Sequence, residues 1–215
     1  MSIKRWKLNS IIFLFILAGC SPKGAEYVDE LDLVFTNYSA NFDFQSKNTY
    51  AISDSVIKIT GEFFDDPGSG KPSMVSPIYA NVIVAEVKKN MEAYGWTLVD
   101  KNNNPDVIIL NSAMTTTNIY YWYDWAYWGW WYPGYYPGWG WYYPGYYPGY
   151  VSGYRSGSVL TQIVDAKTTG PSDVIPVVWT SIYNGLAEGS TAEINSRISA
   201  AISRAFTQSP YLKIQ

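Results

Sequence analysis

Histidine does not occur in the 215 residues of this chain, and cysteine occurs once. The first absence excludes Ser-His-Asp and Cys-His catalysis, histidine-ligated zinc and a histidine pH switch. The second excludes an intramolecular disulfide, so the fold is expected to rest on its core alone. Charge is also sparse: 15% of residues carry it, with a net charge of -3. No basic patch is present, which argues against nucleic acid as a partner. Nor is there a run of roughly 20 apolar residues, the length a membrane-spanning helix requires.

The N-terminal residues carry a different pattern. Lys4, Arg5 and Lys7 precede a short apolar run from Ile11 to Leu17, and Leu17-Ala18-Gly19-Cys20 follows. Positive residues, a short apolar core and small residues before a cleavage point predict a removed signal segment. The Leu-Ala-Gly-Cys stretch resembles the lipobox of bacterial lipoproteins, which implies a diacylglyceryl group on the Cys20 thiol and a new N-terminus there. Residues 1–19 are then a signal peptide and 20–30 a lipidated, polar tether. Each acyl methylene placed in the bilayer contributes about 0.8 kcal/mol, so two or more chains on Cys20 suffice for anchoring. Losing Lys4, Arg5 and Lys7 makes the mature chain more acidic by three charges. Ser21 after the cysteine resembles outer-membrane sorting, which implies a site facing the periplasm.

Residues 31–215 read as one domain. Strands are expected at Leu31–Phe35, Thr49–Ile52, Val56–Ile59, Trp96–Val99, Val107–Thr117, Ser158–Asp165 and Val174–Tyr183, from β-branched and aromatic runs between turn residues. Phe63 to Ser73, with Asp65-Asp66-Pro67-Gly68, reads as a loop. A first helix has Ser76 as N-cap, Pro77 at its first position, and Ile78, Val82, Ile83, Val87, Met91 and Tyr94 as its apolar stripe; Gly95 stops it. A second begins at Ser190-Thr191-Ala192-Glu193, a capping box, with Ile194, Ile198, Ala201, Ile202, Ala205 and Phe206 as its stripe and Pro210 as terminator. These elements predict an α+β fold: a mainly antiparallel sheet with two amphipathic helices packed on one face, plus a long aromatic Pro/Gly-rich insert.

Four stretches resemble the bacterial envelope lipoproteins grouped as domain of unknown function 4136. They are Phe42-Asp43-Phe44 leading to Thr49-Tyr50-Ala51; Gly95-Trp96 followed by Pro105-Asp106-Val107-Ile108; Gly157 to Asp165 leading to Val178-Trp179; and the helix Ile194 to Phe206 ending near Pro210. The resemblance spans almost all of the mature chain and implies no activity or catalytic residue. Tyr50, Trp96 and Trp179 are expected to be core aromatics, because each lies on a predicted strand. Asp106, after Pro105, is expected at a turn or strand start.

The insert, residues 119–154, is the unusual chemical feature. Tyr120 to Tyr150 is mostly tyrosine and tryptophan, interrupted by Pro133-Gly134, Pro137-Gly138, Pro144-Gly145 and Pro148-Gly149. Each Tyr-Pro-Gly unit suits a type II turn, where proline sets φ at the second position and glycine supplies φ > 0 at the third. Proline cannot donate to a sheet ladder, so a succession of ring-bearing turns is expected rather than central strands. Large aromatic surfaces mark interaction sites. Tyr123, Trp125, Trp128, Trp131, Tyr136, Trp139, Trp141 and Tyr147 are the candidate contact residues. Their candidate partners are peptidoglycan or another glycan, the bilayer interface, and an envelope protein or second copy. The bland alternative is a low-complexity loop with no specific partner.

The functional expectation is a lipid-anchored, non-catalytic cell-envelope module without cofactor or metal. One alternative is a carboxylate-dependent glycan hydrolase, which needs two carboxyl groups about 5 to 9.5 Å apart. Asp124 and Asp165 are candidates for it, although no spacing pairs them. The other alternative is a structural lipoprotein that assembles with itself.

Overall fold

The computed structural model describes residues 32–59, 73–114, 140–142, 157–167, 174–186 and 189–214, with the backbone alone at 140–142 and 174. Cys20, the signal segment, the tether, Asp124 and most of the insert lie outside these residues.

Among the described residues there are eight strands: β1 Leu33–Tyr38, β2 Thr49–Ile52, β3 Ile57–Ile59, β4 Thr97–Leu98, β5 Val107–Met114, β6 Gly140–Tyr142, β7 Ser158–Asp165 and β8 Val174–Asn184. Two helices, α1 Pro77–Ala93 and α2 Thr191–Thr207, accompany them. The main path through the sheet is β1-β8-β7-β5-β2-β4. Along it β1, β8, β7 and β5 pair antiparallel. The other half is parallel: β2 with β5, β4 with β2, and β3 with β5. The sheet is therefore mixed, which corrects the expectation of a mainly antiparallel one. The physical reason is α1. It carries the chain from β3 back to the start of β5, and a helical return of this kind sets the flanking strands parallel.

β2 and β3 lie one after the other along the same strand. Ile52 stands opposite Ile109 and Ile57 opposite Ser112, so the β2 side spends two residues more than β5 between these points. The extra residues form a local bulge, with Ser53 and Val56 both buried. A second irregularity falls where Ile163 faces Trp179 but Val164 faces Val177, leaving Val178 unopposed.

Side chains alternate between the two sheet faces. On one face Val107, Ile109, Ile163, Trp179 and Tyr183 join a core with residues of both helices. The opposite face carries Ile108, Leu110, Val164 and Val177, with Leu160 and Ile182 in an adjoining cluster, and no helix residue belongs to either group.

α1 starts at Pro77 after Ser76 and ends before Gly95, whose φ is +93°. The Ser76 side chain makes no capping hydrogen bond. The buried stripe is Ala80, Ile83, Val84, Val87 and Met91, whereas Ile78 is 53% exposed. Of the expected stripe, Ile83, Val87 and Met91 are buried, Val82 and Tyr94 are partly buried against the core, and Ile78 alone stands outside it. The α2 capping box is present, with the Ser190 hydroxyl accepting from the Glu193 N–H and the Glu193 carboxylate accepting from the Ser190 N–H. Its buried residues are those of the expected stripe from Ile198 to Phe206, with Arg197 added and Ile194 only partly buried.

Candidate functional site

The insert departs from β5 and returns to β7, neighbouring strands whose facing ends close on each other. Met114 stands opposite Ser158, and the Gly157 N–H donates to the Met114 carbonyl at 2.8 Å. A hairpin of this kind needs only about two to five connecting residues. Residues 115–156 occupy that position instead. Of the named contact residues, Tyr123, Trp125, Trp128, Trp131, Tyr136, Trp139 and Tyr147 lie outside the described residues, and only the backbone of Trp141 is described. Trp141 sits in β6, which pairs parallel with the start of β8: Gly140 with Val174, Trp141 with Ile175 and Tyr142 with Pro176. This corrects the expectation of turns alone. The five residues between Pro137-Gly138 and Pro144-Gly145 contain no proline, so the three of β6 among them can complete a short ladder.

Three further chain segments leave the sheet at the end where the insert is rooted. β3 ends at Ile59 opposite Met114, β1 begins at Leu33 opposite Asn184, and β8 ends there. β6 joins β8 at its opposite end, roughly 33 Å away at about 3.3 Å per residue.

The residues of the four family-like stretches hold the core together. Trp96 Nε1 donates to the Leu212 carbonyl at 2.7 Å, and Trp179 Nε1 donates to Ser209 Oγ at 3.0 Å. Both fix the segment after α2, and the Tyr94 hydroxyl donates to the Phe206 carbonyl in the last turn of α2 itself. Tyr50 is fully buried, and burial pushes its hydroxyl well above the usual tyrosine range. Asp106 joins the start of β5 to β2: its Oδ2 accepts from the N–H groups of Asn48 and Thr49 and from the Thr49 hydroxyl at 2.8 Å. Burial alone would raise the Asp106 carboxyl, but these donors and Lys167 hold it below its ordinary value.

Two polar groups were not anticipated. The first joins Asp32 and Arg197. Arg197 Nε donates to Asp32 Oδ2 at 2.8 Å, and Nη2 donates to Asp32 Oδ1 and to the Gly185 carbonyl. Both partners are buried. The available signal was an arginine inside the apolar stripe of α2, one turn after Ile194 and one before Ala201. The second lies on the helix-facing side of the sheet. Thr161 Oγ1 donates to Asn111 Oδ1 at 2.7 Å, and Ser181 Oγ donates to Tyr183 Oη at 2.5 Å. Burial pushes the Tyr183 hydroxyl up to about 12, against the opposing hydrogen bonds of Ser181 and Thr161. All four residues are buried, which marks this cluster as core polarity rather than a substrate site.

Asp165, named for a hydrolase, accepts from the Lys167 N–H at 2.9 Å and closes a turn after β7. Among the described residues no group of acidic or sulfur side chains could hold a metal, and no helix is long and apolar enough to cross a membrane.

Comparison with known proteins places this architecture. A crystal structure of a DUF4136 family protein from Bacteroides thetaiotaomicron is 32% identical over 85% of this chain and 97% of that one, with a TM-score of 0.60. A PelC dodecamer from Paraburkholderia phytofirmans is 10% identical, with 86% and 99% covered and a TM-score of 0.39. A PDZ domain protein from Parabacteroides distasonis is 14% identical, with 80% and 35% covered and a TM-score of 0.39. No curated protein sequence matches. The pattern described as "Domain of unknown function (DUF4136)" matches residues 34–211, from β1 to the turn after α2, and the chain belongs to that family.

Proposed function

We propose that this is a lipid-anchored, non-catalytic cell-envelope protein that uses its aromatic insert as a binding surface. The observation that carries the reading is the Met114–Ser158 closure. The ladder between β5 and β7 is complete at its end, so residues 115–156 are not needed to connect these strands. A segment of such length and ring content, beyond what connection requires, is characteristic of loops that carry function. Tyrosine and tryptophan offer an apolar face with a hydrogen-bonding edge, the chemistry that suits a glycan ring, a bilayer interface or a protein surface. The leader ending in Leu-Ala-Gly-Cys20 supports anchoring by acyl chains, with the domain in the periplasm at the outer membrane.

The test uses unlipidated protein beginning at Ser21, with Trp125, Trp128, Trp131 and Trp139 replaced by alanine. Retention is measured on purified peptidoglycan, on liposomes and on a protein fraction of the native envelope. At least a tenfold loss on one of the three is expected, and that one names the ligand class. Equal retention of the two proteins on all three would refute the proposal.

A further inference from the structure

The sequence contains one Asn-Gly pair, Asn184-Gly185, and the fold sets it at the end of the sheet where β1 begins. Asn184 is the last residue of β8 and stands opposite Leu33 of β1. Its Oδ1 accepts from the Ser158 hydroxyl of β7 at 2.6 Å. Asn184 and Gly185 are half-exposed and Leu33 beside them is 66% exposed, so water reaches the pair. Gly185 lies one residue past the ladder with a φ of +95°, and among the described residues no carbonyl accepts from its N–H. Its own carbonyl accepts from Arg197 Nη2.

We propose that Asn184 is a site of spontaneous deamidation and main-chain isomerisation, with the Gly185 nitrogen as nucleophile and the Ser158 hydroxyl as polarising donor. The nitrogen gives its proton to solvent base and bonds to Asn184 Cγ. The Cγ–Nδ2 bond then breaks, Nδ2 takes up a proton and leaves as ammonia, and a succinimide remains. Water opens that ring at either carbonyl, giving aspartate or isoaspartate. The local geometry favours each step. A nitrogen without an acceptor is free to lose its proton, and glycine offers no Cβ to block the approach to Cγ. The Ser158 donor faces the oxygen on which negative charge develops during attack. Asn48, Asn104 and Asn111 each lack one of these features. Thr49, after Asn48, has its N–H held by Asp106; Pro105, after Asn104, has no N–H; and Asn111 is buried. Isoaspartate lengthens the main chain by one carbon between β8 and Gly185, whose carbonyl then shifts away from Arg197. The pair thus acts as a slow covalent clock on the Asp32–Arg197 contact. This inference stands whether or not Cys20 is acylated and whether or not a ligand binds.

The test keeps the full chain folded in heavy-oxygen water at mildly alkaline pH, beside a synthetic peptide spanning Ser181–Leu186. Ring opening places one heavy oxygen on residue 184, which mass spectrometry of a digest locates, and an isoaspartyl methyltransferase reports the isomerised product. By the time half of the peptide has converted, the folded chain is expected to carry the label at residue 184 ahead of Asn48, Asn104 and Asn111. An unlabelled Asn184 at that time would overturn the inference. Ser158→Ala is expected to slow the conversion roughly fivefold, the worth of one net hydrogen bond. An equal or faster rate in that variant, with circular dichroism unchanged, would overturn the assignment of Ser158. The isoaspartate fraction, separated by chromatography, is expected to unfold at lower urea than the unconverted chain, and equal midpoints would break the link to Arg197.

Discussion

Arg197 occupies a position where α2 otherwise presents alanine, isoleucine and phenylalanine to the core. Its guanidinium is satisfied by Asp32 and the Gly185 carbonyl, so three parts of the chain meet at one cation. Removing one member of a buried pair leaves the other charge uncompensated, which costs about 3–5 kcal/mol. Arg197→Ala is expected to destabilise by that amount in urea unfolding. Arg197→Met combined with Asp32→Leu should recover most of it, because neither charge remains buried. A loss below about 1 kcal/mol in the single variant, the range of an exposed pair, would contradict this account.

At the scale of elements, the junction between α1 and β4 depends on Gly95. Its φ of +93° is one that L side chains rarely adopt, and an added Cβ would lie 3.0 Å from both Ile214 Cγ1 and the Ile214 carbonyl oxygen. The Ile214 N–H also donates to the Tyr94 carbonyl at 2.9 Å, so the C-terminal segment cannot withdraw freely. Gly95→Ala is expected to cost at least about 1 kcal/mol, with a lower thermal midpoint and unchanged far-ultraviolet circular dichroism at 25 °C. The elements themselves were largely legible. β2 and β7 fall on the expected residues, and both helices start where their caps predict. Local signals decide such features: proline and glycine punctuation, a capping box, β-branched runs. Strand direction was not legible, because it depends on which strands α1 brings together rather than on any residue within them. In the stripe of α1 only Ile78 departs from expectation: it is apolar yet exposed in the first turn of the helix. Arg197 was passed over because a charged residue in an apolar stripe acquires meaning only with its partner, which lies far away in sequence. For the insert, composition indicated turns and rings, while the pairing of β6 with β8 depends on a partner with no local signature.

For the whole molecule, carboxylates distribute stability unevenly with pH. Asp106 and Glu86 are each raised by burial and lowered more strongly by hydrogen bonds and cations, Lys89 and Ser203 in the case of Glu86. Glu193 is lowered by the N–H and hydroxyl of Ser190. All three are held below their unfolded values. Their stabilisation is therefore fully present above the unfolded carboxylate range, about 3.9 to 4.3, and is lost as pH falls through the folded values. Urea midpoints should hold steady between about pH 7 and 5 and decline below about pH 4. Asp106→Asn should shrink that decline, and an unchanged slope would remove Asp106 from the explanation.

The Asp32–Arg197 contact also determines how the domain responds to a pull. β1 is an edge strand whose first residue, Leu33, follows Asp32 directly. Tension on the preceding chain would load β1 from its terminus, the geometry in which a strand peels away one hydrogen bond at a time. With the carboxylate held by the guanidinium, force enters α2 before it reaches the ladder. The first rupture must break a charged, two-point contact rather than a single amide bond, so the edge strand is clamped at the end that a pull on the preceding residues would load.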